Sequence, residues 1–362
     1  MKKFTGFEHG MGIGGWLTNY KRFYVLPPEK RLHLTIGDME HFASYITQQD
    51  VEYIASLGMD HIRLGFDQLV VEESPGIWRE EILGYIDNFI SWCQKAGVNI
   101  CLNLHKAIGN YCDVPEKVKL MESPALQERF IALWEMMEKR YAEKPSIVFE
   151  LLNEVINVDP ELWNDLAERT ITAIRKLNSE RKIIIGSRCW NAVKELKTLR
   201  VWDDPNVIYT FHFYSPFEFT HQRGVLQVSE LYYNREMPYP GDAERYRHYQ
   251  RTVKRNENCY AELKVIDKEY LRQELIPAVE FLRQNPDKIL WCGEFGTIRH
   301  AKLQWRENYM RDLISLLKEY EIPYCVWNYL STPNDGNRFS LVDDDHRKIL
   351  SDELAEIISG NV

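Results

Sequence analysis

The sequence predicts an α/β fold, a (β/α)8 TIM barrel carrying a small inserted, lid-like subdomain after its sixth strand. Three observations predict it. Eight short apolar runs alternate with amphipathic stretches of helical period, as parallel strands joined by helical crossovers do. The first run leads into no glycine-rich nucleotide-binding turn of the kind that marks a doubly wound sheet. Costly polar groups sit at the C-terminal ends of the runs, and a barrel gathers those ends on one face. At 362 residues the chain is long for one domain, yet barrels of this length form a single unit. One domain is therefore expected over 1–362, with the subdomain at 216–267.

Taken in order, the strand-like runs are 11–17, 60–66, 98–105, 146–154, 182–187, 207–214, 288–295 and 323–329. Helical spacing fills the intervals. Residues 80–96 place Ile82, Ile86, Phe89, Ile90 and Cys93 on one face. Residues 123–142 open on Ser123-Pro124, an N-cap followed by a first-turn proline. Similar periodicity runs through 160–178, 268–284, 303–320 and 348–358. The interval 216–267 breaks the rhythm. It is rich in Phe, Tyr and Arg, including Phe217, Phe219, Tyr232, Tyr233, Tyr239, Tyr246 and Tyr249. A structureless loop of that length is uncommon in a compact domain, so a subdomain seated over the barrel mouth is expected.

Composition excludes several classes. A formal charge of −9 argues against a nucleic-acid partner, which selects a basic stripe. No apolar stretch approaches the ~18 residues a membrane helix needs, and no basic amphipathic helix suggests a membrane surface. No obligate protein partner is evident. Met1-Lys2-Lys3-Phe4 leads into no apolar core of a signal peptide, so a cytoplasmic location is expected, or secretion if a leader has been trimmed. The seven cysteines include Cys101, Cys292 and Cys325 inside apolar runs, which read as small buried hydrophobes in a reducing compartment.

The polar residues at the run ends carry the chemistry. They are Arg63, His105, Asn153-Glu154, His212 with Tyr214, Glu294, and Trp327-Asn328. Each alone has a bland reading, as a surface carboxylate, a satisfied histidine or a core tryptophan. One shared site explains all of them together. Glu154 ends the fourth run and Glu294, flanked by aromatics and glycines, ends the seventh. Two such carboxylates suit glycoside hydrolysis, in which one protonates the departing oxygen and the other attacks the anomeric carbon. Arg63 and a tyrosine hydroxyl are expected to keep Glu294 ionised, and its charge to favour a proton on Glu154. The chemistry requires no metal and no cofactor. The run Asp343-Asp344-Asp345 reads as solvated surface.

Several motifs together, spread over nearly the whole chain, resemble glycoside hydrolase family 5, in particular small bacterial endoglucanases of the clostridial endoglucanase C type. They are Gly14-Gly15-Trp16-Leu17, Asp60-His61-Ile62-Arg63-Leu64, Leu104-His105, Phe149 to Val155, His212 to Phe217, Cys292 to Gly296, and Val326-Trp327-Asn328-Tyr329. The resemblance implies a retaining enzyme that cleaves β-1,4-linked glucan, with Glu154 as acid/base and Glu294 as nucleophile. It implies that Arg63 and Tyr214 hydrogen-bond the nucleophile and that His212 sits near the acid/base. Asn153 then holds the sugar 2-hydroxyl, His105 binds the sugar beside the cleavage point, and Trp327 forms a platform under it. Trp16, Trp78 and Trp190 are further candidate sugar contacts. The resemblance implies departures from the family pattern at Gly12-Ile13, where a family-like first strand would often read Asn-Leu, and at Lys106-Ala107-Ile108-Gly109, where relatives tend to carry His-Ala-Pro-Gly. A β-mannanase or exo-β-1,3-glucosidase using the same residues remains an alternative, as does a non-catalytic carbohydrate-binding protein.

Overall fold

The structure, a computed structural model, describes residues 2–20, 34–111, 119–224, 228–256, 258–333 and 335–361. Eight parallel strands close into a barrel. They are β1 (His9–Leu17), β2 (His61–Asp67), β3 (Asn99–Lys106), β4 (Ile147–Glu150), β5 (Ile183–Gly186), β6 (Val207–Phe213), β7 (Ile289–Phe295) and β8 (Tyr324–Val326). Each pairs with its sequence neighbours, and β1 pairs with both β2 and β8 to complete the ring. Every predicted run becomes a strand. Burial on both faces is what lets these runs be apolar almost throughout.

Two strands end earlier than the runs suggest. Strand β4 stops at Glu150, although Leu151 N still bonds Ile184 O and Asn153 N bonds Leu104 O. Glu154 therefore sits past the strand, on a backbone still tied to β3 and β5. Strand β8 stops at Val326, just before a cis peptide between Trp327 and Asn328.

The helices follow their sequence signals closely. Glu80–Ala96 ends on Gly97, whose positive φ of 74° closes the last turn. Pro124–Tyr141 is capped by the Ser123 side chain, which accepts from Leu126 N. The 268–284 segment is two helices, Lys268–Glu274 and Ile276–Gln284, because Pro277 starts a new first turn. The last helix shortens to Asp352–Ile358 behind a Ser351 cap. Between β5 and β6, the described helices are a short irregular turn at Arg188–Asn191 and the 3-10 helix Val193–Thr198. Left-handed backbone at Cys189, Trp190 and Asn191 interrupts regular winding there.

Within 216–267 the chain forms short helices at Phe217–Thr220, Val228–Tyr233 and Ala243–Tyr249. A two-stranded antiparallel ladder joins Gly241–Asp242 to Val265–Ile266. Phe219, Tyr239, Tyr246 and Tyr249 are buried, whereas Tyr232 is exposed. Tyr239 packs against Tyr309 of the helix Leu303–Glu319 and donates to Asp312 at 2.9 Å. This anchors the insertion to the barrel's outer layer.

The lower barrel is plugged. Phe4 and Phe7 stack beneath it and pack with Val148, Ile184, Ile208, Ile289 and Trp291. The polar residues expected to act on substrate lie at the opposite, upper end.

Candidate active site

Alternation along the strands selects the residues that face inward, and two local features adjust it. On β6, Phe211 and Phe213 join the outer core while His212 faces the barrel axis. On β7 the register shifts by one residue between Cys292 and Glu294, so Cys292 pairs with Phe211 and Glu294 with His212. The extra residue is Gly293, whose N–H donates to Thr210 Oγ1 at 3.2 Å. Strict alternation gives Glu294 the parity of Cys292, facing outward; the bulge turns it inward. On β1, Gly12 and Gly14 leave room for an aromatic ring. A Cβ on either lies 2.7 or 2.6 Å from the indole of Trp327.

Arg63 is the hub. Its Nε and Nη2 donate to Glu150 Oε2 and Oε1 at 2.6 and 2.9 Å. Its Nη1 donates to Glu294 Oε2 at 2.8 Å, and Nη2 also reaches Asn153 Oδ1 at 2.6 Å. Burial opposes the guanidinium charge, but the Glu150 carboxylate and then Glu294 hold its pKa well above the ordinary value. Glu294 also accepts a 2.7 Å bond from the Tyr214 hydroxyl. Burial and that neighbouring carboxylate push the phenol well up, so it remains a donor.

Glu154 differs in setting. It is half-buried, and its Oε1 lies 3.0 Å from His212 Nδ1. Its backbone carbonyl accepts from Asn110 Nδ2 at 2.9 Å, and the next residue's carbonyl accepts from Trp190 N. Burial lowers the His212 pKa to about 4, so the ring is neutral near pH 7. His212 Nε2 lies 3.9 Å from Glu294 Oε2, which places the imidazole between the two carboxylates. One oxygen of Glu154, one of Glu294 and a His212 nitrogen all lie within 4.8 Å of one another. That spacing suits a cation, but both Glu294 oxygens already accept from Arg63 and Tyr214.

His105 completes the floor, stacked on Trp327 at 5.2 Å between ring centroids. Arg63, His105, Asn153, Glu154, His212, Tyr214, Glu294 and Trp327, all expected from the sequence, thus meet in one cluster. Sequence reasoning missed Glu150, the bidentate partner of Arg63, and Asn110, which ties down the Glu154 backbone. Glu150 had a signal, a charge inside an apolar strand. Among the tryptophans, Trp16 is core: its indole N–H donates to Phe42 O at 2.8 Å and its ring packs on Phe89. Trp78 is partly buried against the core, and Trp190 remains 40% exposed beside the Glu154 segment.

A closed (β/α)8 barrel with two carboxylates facing each other across its C-terminal mouth defines a glycoside hydrolase. The chain belongs to glycosyl hydrolase family 5, the cellulase family, whose model matches residues 29–332. It is 38% identical to Endoglucanase C of Acetivibrio thermocellus over 98% of both chains. It is 33% identical to Cellodextrinase A of Ruminococcus flavefaciens, over 61% of this chain and 62% of that one. Among solved structures, Thermotoga maritima Cel5A in complex with cellobiose superposes with a TM-score of 0.73. It covers 97% of each chain at 24% identity, a likeness of fold.

Proposed function

We propose that this glycosidase cleaves β-1,4-linked glucan with retention of configuration, using Glu294 as nucleophile and Glu154 as general acid and base. The observation that carries it is the separation of the two carboxylates, with oxygens inside 4.8 Å. Retaining enzymes hold their carboxyl groups about 5–5.5 Å apart, whereas inverting ones need about 6.5–9.5 Å to admit a water. In the first step a Glu294 oxygen bonds to the anomeric carbon, the glycosidic C–O bond breaks, and the leaving oxygen takes the Glu154 proton. In the second, ionised Glu154 takes a proton from water, whose oxygen bonds the anomeric carbon and releases Glu294. Arg63 and Tyr214, held in place beforehand, stabilise the carboxylate as it leaves in this second step.

The glucan assignment draws on the relatives, an endoglucanase and a cellodextrinase by name. The test is a hydrolysis panel of cellodextrins, mixed-linkage glucan and mannan, with the anomer released followed by proton NMR. Cellodextrin cleavage giving the β-anomer first is expected. The α-anomer first, or turnover confined to mannan, overturns the corresponding half. Glu294→Gln should remove nearly all turnover and keep ligand binding.

A further inference from the structure

The amide and imidazole groups around His105 form a chain whose hydrogen-bond polarity is set at both ends by cations. Lys106, buried at the end of β3, donates from Nζ to Asn19 Oδ1 at 2.7 Å. Arg63 donates to Asn153 Oδ1 at 2.6 Å. Neither an ammonium nor a guanidinium can accept a hydrogen bond, so each amide must turn its oxygen toward the cation. Each amide nitrogen then faces the other way. Both point at one atom, since Asn19 Nδ2 lies 3.2 Å and Asn153 Nδ2 3.4 Å from His105 Nε2. An atom approached by two N–H groups has to be an acceptor. The ring proton therefore sits on Nδ1, which is 2.9 Å from Asn103 Oδ1. Among the described residues Asn103 Nδ2 has no partner, which fits an amide oriented by its oxygen alone.

We propose that Asn19 and Lys106 are positioning residues that lock His105 as its Nδ1–H tautomer, so that Nε2 stays an acceptor for Asn153 Nδ2 and holds that amide oriented for a sugar hydroxyl. The inference rests on the reading of this pocket as a sugar site. The alternative tautomer turns an N–H toward both amide nitrogens and drives the Asn153 amide out of that orientation. Asn19 reaches the chain from a left-handed backbone (φ 54°) just past β1, a conformation that asparagine tolerates well.

The test is long-range proton–nitrogen NMR on the 15N-labelled protein, with His105 assigned by its loss in His105→Gln. The wild type should show a protonated Nδ1 and an unprotonated Nε2; the reverse pattern overturns the proposal. In Asn19→Asp, a carboxylate that only accepts replaces the amide donor, so Nε2 should gain a proton. An unchanged Nε2 in a folded Asn19→Asp protein likewise sinks it, and if that variant does not fold, Lys106→Met against Lys106→Arg decides. Arginine still only donates and should keep the tautomer, while methionine frees the Asn19 amide to turn and should mix the two forms. On cellopentaose, KM should rise about tenfold in Asn19→Asp with a smaller change in kcat, as the loss of one binding hydrogen bond requires. A wild type that turns over no glucan overturns the functional reading and leaves the tautomer measurement intact.

Discussion

Arg63 and Glu150 face each other inside the barrel through two hydrogen bonds of 2.6 and 2.9 Å, and neither side chain reaches solvent. The pair is what allows a cation to stand under Glu294. Arg63 alone, without Glu150, is a buried charge shared with only one carboxylate. Glu150→Ala should therefore cost about 3–5 kcal/mol, the usual penalty for stranding one half of a buried ion pair. Glu150→Gln keeps the shape and should cost less stability. It also concentrates the guanidinium charge on Glu294, so kcat should fall by roughly tenfold or more. Thermal unfolding and cellodextrin kinetics on both variants check this. A Glu150→Gln enzyme with wild-type kcat contradicts it.

Tyr214 supplies the second bond to Glu294, at 2.7 Å. Tyr214→Phe removes a donor that holds the carboxylate in line for attack and leaves the ring's packing against His221 and Phe339 in place. The expected loss is on the order of 10- to 100-fold in kcat, with little change in KM. Because burial first and Glu294 second drive the phenol upward, its ionisation lies beyond the working range. The alkaline limb of the wild-type pH–rate profile should therefore persist in Tyr214→Phe.

Much of this was legible in the sequence because a (β/α)8 barrel writes its plan in short apolar runs that end on polar groups. Arg63, His105, His212 and Glu294 stood out as charges or imidazoles inside strands that are otherwise apolar. Other features had no such mark. Glu294 faces inward only because Gly293 forms a bulge, and period-two reading alone gives it the opposite parity. The helices Ile36–Ser44 and Gln48–Ser56 escaped notice because each is short and buries few apolar residues. Their Thr35–Asp38 and Thr47–Asp50 capping boxes were the signal available. Trp16 and Trp327 look alike in sequence, and only tertiary contact separates a core indole from one stacked on His105.

Gly12 is held to glycine by what packs against it. A Cβ there would lie 2.7 Å from Trp327 Cε3 and 3.3 Å from Val326 O. The indole is also stacked on His105, so it cannot move without disturbing that contact. Gly12→Ala should displace Trp327 and raise KM for cellodextrins several-fold. The change should appear in tryptophan fluorescence on ligand addition. Normal KM with a normal fluorescence response contradicts the packing argument.

The pocket wall also makes the fold sensitive to acid. Burial pushes His212 down to about 4 and His221 down to about 3, and it lowers His105 in the same direction. In the unfolded chain these rings titrate near 6.5. As pH falls below that value, the unfolded state takes up protons that the folded state refuses, so stability must decrease. The loss begins near pH 6.5 and levels off only below the folded values. At pH 5 it amounts to about 2 kcal/mol for each such ring relative to pH 7 or above, from ~1.4 kcal/mol per pH unit. His221 offers a clean test, since it is clear of the two carboxylates and stacks on Phe217 at 3.8 Å. His221→Phe removes one titrating ring while keeping an aromatic in place. Its stability should fall less than that of the wild type between pH 7 and pH 5, by about 2 kcal/mol. Urea unfolding at the two pH values measures the difference, and equal acid sensitivity in the two proteins means that His221 is protonated in the folded state.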